Sequence, residues 1–134
     1  MKNIIRSLRN ILQNDIKDKL FIKGITLFNE KNFYDARESW EELWSEYRLK
    51  DEIFIQGLIQ LAVAFFHITN LNLKGSRNLF NKCLPKLKKF PANHRNINLL
   101  EIIDSAENSK KKVRSIESVD DFDWNLAPKI MRSI

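Results

Sequence analysis

Residues 52–72 read Glu52-Ile-Phe-Ile-Gln-Gly-Leu-Ile-Gln-Leu-Ala-Val-Ala-Phe-Phe-His-Ile-Thr-Asn-Leu-Asn72, with no charged side chain between Ile53 and Asn72. A stretch that is apolar nearly all the way round a helical wheel is, in a globular protein, a central helix on which others pack. Its polar exceptions share one side. At about 100° per residue from Gln56, Gln60 falls near about 40°, His67 near about 20° and Asn70 near about −40°. Such a stripe needs a surface opposite it, and the acidic, Trp-bearing segment just before the run is the expected one.

Composition sets the class around that run. The 134 residues are 43% hydrophobic and 30% charged, which suits one globular domain with a real core. Three Gly and three Pro leave few turns between long periodic stretches, so the fold class is all-α. The single Cys83 excludes an internal disulfide and, on an apolar helix face, reads as a buried thiol in a reducing compartment. The first ten residues alternate charge with apolar side chains, unlike a secretory signal. Ile53–Thr69 is short of the about 20 residues needed to span a bilayer and contains Gln and His. The expectation is a cytoplasmic protein (or a stromal one in a plastid-bearing source) with no membrane partner.

Working outward, residues 3–13 carry Ile4, Ile5, Leu8, Ile11 and Leu12 at helical spacing, a short helix ending near Asn14. Asp15 then caps a second, burying Leu20, Phe21, Gly24, Ile25 and Phe28. A third starts near Phe33 and places Phe33, Ala36, Trp40, Leu43, Trp44 and Tyr47 on one face, with Trp40 and Trp44 read as core. Asp51 caps the central helix. A fifth spans about 74–89, kinked or cut short by Pro85, and a sixth of about ten to fourteen residues turns Leu99, Leu100, Ile102, Ile103 and Ala106 inward. The predicted architecture is a bundle of five to six helices over residues 1–114, with 115–134 an irregular segment docked on it. Gly24, Leu27, Phe33, Ala36, Trp40 and Leu43 show a small/large alternation whose places recur about forty residues on at Ala64, His67, Ser76, Phe80 and Cys83. That repeat suggests two antiparallel, tetratricopeptide-like hairpins.

Two blocks carry a resemblance: Gly24-x3-Phe28-Asn29-x3-Phe33-Tyr34-x-Ala36-Arg37-Glu38-x-Trp40-Glu41-x2-Trp44, and Gln56-Gly57-Leu58-Ile59-Gln60-x-Ala62-x-Ala64-x2-His67-x2-Asn70 followed by Gly75. Over about residues 21–90 the chain resembles domain-of-unknown-function family 309. The resemblance implies a small α-helical bundle with no assigned activity. The family pattern reads Ala-His-Glu-x-Trp-Glu, and this chain has Arg37 in place of that His. A His and a Glu four residues on would share a helix face as ligands or acid/base partners do, whereas Arg37 and Glu41 suit an ion pair.

The candidate ligand groove therefore lies between the Phe33 helix and the central helix, lined by Arg37, Glu38, Glu41, Trp44, Gln56, Gln60 and His67. The leading expectation is an interaction module for a partner protein or small ligand, without a cofactor. The alternative is a metal-assisted hydrolase using His67 with Glu38 and Glu41, which are legitimate zinc ligands. A blander reading makes the same residues a buried polar network, since unpaired buried groups cost about 1–3 kcal/mol each. A third reading takes the net charge of +6 and the basic residues Lys74, Arg77, Lys82, Lys86, Lys88 and Lys89 as a non-specific anion or nucleic-acid surface. No Gly-rich phosphate loop, Cys-x-x-Cys pair or nucleophile elbow occurs, and His94 reads as an exposed loop residue.

Overall fold

The computed structural model of the chain describes residues 1–133, of which the greater part forms five α-helices in one bundle. They are α1 (Lys2–Asn29), α2 (Phe33–Glu46), α3 (Glu52–Thr69), α4 (Leu73–Leu87) and α5 (Leu99–Ser115). The class is all-α as expected; among the described residues the sole β feature is an isolated bridge between Ile97 and Arg132. Each helix packs chiefly on its neighbours in the chain, with α3 enclosed between α2 and α4.

The apolar run is that central helix. Phe54, Ile55, Leu58, Leu61, Ala62, Ala64 and Phe65 are fully enclosed. By length and composition α3 qualifies as a membrane span, with a mean hydropathy of 1.5, but these side chains face the interior of the bundle. The residues left partly open, Gln56, Gln60, Val63, Phe66 and His67, form the line of α3 that neither neighbour covers.

The turns after α1 and α3 share one hydrogen-bond pattern. After α1, Asn32 N–H bonds to Leu27 O at 2.9 Å and Lys31 N–H to Phe28 O at 2.9 Å. After α3, Asn72 N–H bonds to His67 O at 2.8 Å and Leu71 N–H to Ile68 O at 3.3 Å. Both are the Schellman pattern of a helix end, which needs a left-handed residue just past the helix. Here that residue is not glycine: Lys31 has φ 65° and Leu71 φ 58°. Left-handed backbone crowds a Cβ by about 1–2 kcal/mol, and the greater freedom of an unfolded glycine offsets part of the relief. Leu71 is exposed and its side chain buries little. Leu71→Gly is therefore expected to stabilise the fold by about 0.5–1 kcal/mol, read as a higher urea midpoint; a lower midpoint would refute it.

The repeat read from the sequence places Ser76 where the first hairpin has Ala36, and both are wholly buried. The Ser76 hydroxyl has no hydrogen-bond partner. An unsatisfied buried hydroxyl costs roughly 1–3 kcal/mol. Ser76→Ala leaves a shape the first hairpin already uses, and a gain of about 1 kcal/mol is expected. A loss of that size would mean the hydroxyl is satisfied in solution.

Three expectations for the helices need correction. The two short N-terminal helices are one, α1, because the cap former Asp15 interrupts nothing when neither Gly nor Pro accompanies it. Their apolar residues Ile4, Leu8 and Ile11 are exposed rather than packed. Trp44 does not join the core with Trp40: Trp40 is fully buried, whereas Trp44 is 42% exposed. Helix α5 is 17 residues long, and Leu100 points outward while Ser109 and Val113 complete its buried side. Helix α4 runs through Pro85 and ends two residues beyond it, at Leu87.

Arg77 secures the end of α5, donating from Nε to Val113 O at 2.7 Å and from Nη2 to Ile116 O at 3.0 Å. Beyond α5 the chain runs through two 3-10 turns, Val119–Asp121 and Trp124–Leu126. It lays Phe122 and Ile130 into the core and stacks Trp124 on Phe33 with centroids 6.0 Å apart. Residue 134 lies outside the described residues. Cys83 is buried, and burial pushes its thiol up to about 12.

Candidate functional site

Helix α2 has neighbours on both sides, so residues three apart on it open into different grooves. Glu38 lies with Leu20, Lys23 and Glu42 in the cleft toward α1. Glu41, one turn on, lies toward α3. There Glu41, Trp44 and Ser45 of α2 face Gln56, Ile59 and Gln60 of α3 across a cleft of about 360 Å³. Arg37 stands between the two acids. Its Nη1 donates to Glu41 Oε2 at 2.8 Å, the i,i+4 pair its spacing suggests, and its Nη2 is 3.9 Å from Glu38 Oε1. The guanidinium also lies over the Tyr34 ring, 4.6 Å from its centroid.

The polar stripe of α3 divides. Gln60 Oε1 accepts from Lys86 Nζ of α4 at 3.0 Å, so the cleft is bounded on its far side by a cation. His67 belongs elsewhere, at the mouth of the second turn, where its Nδ1 lies 3.4 Å from Asn72 Nδ2. Asn72 is the N-cap of α4, its Oδ1 accepting from Gly75 N at 2.8 Å. His67 thus packs against a cap rather than facing Glu38 or Glu41. The polar residues form no sealed network: Glu41 takes Arg37, Gln60 takes Lys86 and His67 meets Asn72.

The metal alternative loses its geometry with that separation. Among the described residues, no group of three His, Cys, Asp or Glu side chains is placed to hold a metal ion, the set Glu38, Glu41 and His67 included. The basic face of α4 is also reduced. Arg77 holds the α5 carbonyls, Lys86 holds Gln60 and Lys88 pairs with Glu107. Lys74 and Lys82 on that helix, and Lys89 just past its end, remain as exposed cations.

Both walls of the cleft and both repeated turns fall in one segment, from the second half of α1 into α4. Residues 21–79 match the family model Domain of unknown function (DUF309). The resemblance read from the two sequence blocks therefore holds over that segment. A search of the curated proteins found no match. The DUF309 segment contains every residue of the candidate groove, together with the Arg37–Glu41 pair.

Two features escaped the sequence. Asp51 precedes α3 within the DUF309 segment but does not cap it with its side chain. It accepts a fork from Arg95, Nε to Oδ2 at 2.6 Å and Nη2 to Oδ1 at 2.8 Å, while His94 Nε2 lies 2.7 Å from Oδ2. His94 is therefore a partly buried partner rather than a free loop residue. More than forty residues separate these groups in sequence, and no local pattern announces the contact. The second is a wider cleft of about 480 Å³ where the two repeated turns meet the C-terminal segment, bounded by Lys31, Phe33, Leu71, Asp120 and Trp124. Its only hint in the sequence was aromatic clustering near Phe122 and Trp124.

Proposed function

We propose that the DUF309 segment is an interaction module that seats an amphipathic ligand, a partner segment or a small molecule, in the α2–α3 cleft. The observation that carries this reading is Trp44, a large aromatic left 42% exposed beside two carboxamides and an acid. Exposed tryptophans bordered by convergent polar groups anchor binding sites more often than other side chains. Trp44 and Ile59 offer the apolar wall. Gln56 and Gln60 each donate and accept, and Glu41, held by Arg37, accepts from a donor on the ligand. The wider cleft at Trp124 is larger but gathers fewer polar groups about its aromatic residues, so the α2–α3 cleft is preferred.

Fragment screening by protein-observed NMR tests this. Aromatic amide fragments are expected to shift the Trp44 indole N–H and the Gln56 and Gln60 side-chain amides. Those shifts should vanish in Trp44→Ala, which should lose less stability than Trp40→Ala because its indole is 42% exposed. Hits confined to Lys31, Phe33 and Trp124 would move the site to the wider cleft and overturn the reading.

A further inference from the structure

The first sixteen residues are exposed on every side, although fifteen of them belong to α1. They are not a polar overhang. Ile4 is 65% exposed, Leu8 55%, Ile11 63% and Leu12 63%, with Ile5 and Ile16 also open. At about 100° per residue, these six fall within an arc from about −60° to about +80° of Leu8, and Asp15, near about −20°, closes that face at its C-terminal end. The residues by which α1 joins the bundle, Phe21, Gly24, Ile25 and Phe28, centre about 150° away on the same wheel. The N-terminal apolar face is thus not an extension of the bundle seam. It looks outward from it, and α2 cannot fold over to cover it.

Charge is as one-sided as hydrophobicity. From Met1 to Asn14 the chain carries Lys2, Arg6 and Arg9 and no Asp or Glu. At about 100° per residue the three cations sit about 100–160° from Leu8, on one shoulder of the apolar arc. An aliphatic face with basic residues at its edge is the pattern of a helix lying in the plane of a membrane interface, its side chains in the acyl boundary and its cations among anionic headgroups. A second copy of the chain fits less well. It would cover the apolar face but offers no acid before Asp15 to engage Lys2, Arg6 and Arg9, which anionic headgroups would.

We infer that residues 1–14 form an interfacial helix that docks on an anionic lipid surface through Ile4, Ile5, Leu8, Ile11 and Leu12, with Lys2, Arg6 and Arg9 toward the headgroups and the face ending at Asp15. The expectation of no membrane partner rested on the lack of a spanning segment, and a surface helix needs none. The bundle would then stand off the surface with its α2–α3 cleft independent of the contact.

Flotation of the full chain with vesicles tests this, using phosphatidylcholine alone and phosphatidylcholine mixed with phosphatidylglycerol. Binding is expected only to the anionic vesicles and should fall as salt is raised. Ile4→Gln/Leu8→Gln/Ile11→Gln should weaken it at least about a hundredfold, and Arg6→Gln/Arg9→Gln about tenfold. Both variants should keep the wild-type thermal midpoint, because the substituted side chains touch nothing in the bundle. No binding to anionic vesicles at low salt would overturn the inference. Undiminished binding by the triple variant would do the same by placing the contact on another basic surface, such as α4. A wild-type dimer in sedimentation equilibrium that the triple variant dissolves, with no vesicle binding, would replace the lipid by a second copy.

Discussion

Gly24→Ala is expected to destabilise the protein by about 3 kcal/mol, against the usual gain of about 1 kcal/mol for Gly to Ala inside a helix. A Cβ on Gly24 would stand 2.1 Å from Trp40 Nε1 and 2.4 Å from Cε2, where no atom fits. The indole cannot retreat. Its Nε1 donates to Phe21 O at 3.1 Å, and the ring lies against Phe28 with centroids 6.0 Å apart. The added methyl must either break that hydrogen bond or lever α1 away from α2, and overpacking alone costs about 1–3 kcal/mol. Urea unfolding measures the loss, and a double-mutant cycle isolates its cause: in a Trp40→Leu background the same substitution should cost far less. An equal cost in both backgrounds would sink the explanation.

Asp51→Asn is expected to cost about 2–3 kcal/mol, because it leaves the partly buried Arg95 fork facing a neutral amide. Arg95 has φ 53° and its neighbour Asn96 φ 57°, so the carboxylate holds a strained turn in place. The Arg95 guanidinium also lies over the Phe21 ring, 4.7 Å from its centroid, which ties the turn to α1. Burial works to raise the Asp51 pKa, but hydrogen bonds from Arg95 and His94, with their charge, outweigh it and hold the carboxyl below its ordinary value. A depressed folded value means stabilisation that is present above the unfolded value and lost as pH falls through the folded one. The gap between wild type and Asp51→Asn should therefore be full at neutral pH and shrink below about pH 4, where unfolded aspartate takes up its proton. Chemical denaturation across that range checks both size and sign; a gap that widens in acid would overturn the assignment.

The candidate groove was legible in part. Gln56 and Gln60 were placed on one side of α3 by arithmetic alone, and Glu41 with Trp44 on the helix opposite. Glu38 and His67 were misjudged for a single reason. Helical spacing says which residues of one helix share a face, not which of two flanking grooves that face opens into. Glu38 sits only three residues from Glu41, yet α1 claims one and α3 the other. His67 lies on the predicted stripe but so far along α3 that its neighbour is the cap of α4. Trp44 was read as core because its spacing from Trp40 is helical, and that spacing is shared by a residue at the edge of a seam.

Local pattern alone determined the all-α class and the central helix. An apolar period acts within a few residues of where it stands, whereas the caps expected at Asp15 and Asp51 do not form. What only the tertiary structure decided involves residues far apart in the chain or a choice between faces. The fork of Arg95 on Asp51, the exposure of Trp44, the division of Glu38 from Glu41 and the outward turn of the N-terminal apolar face are of this kind. Each depends on which neighbour a helix side meets, and that is set by how the whole bundle minimises its exposed apolar surface rather than by any one segment.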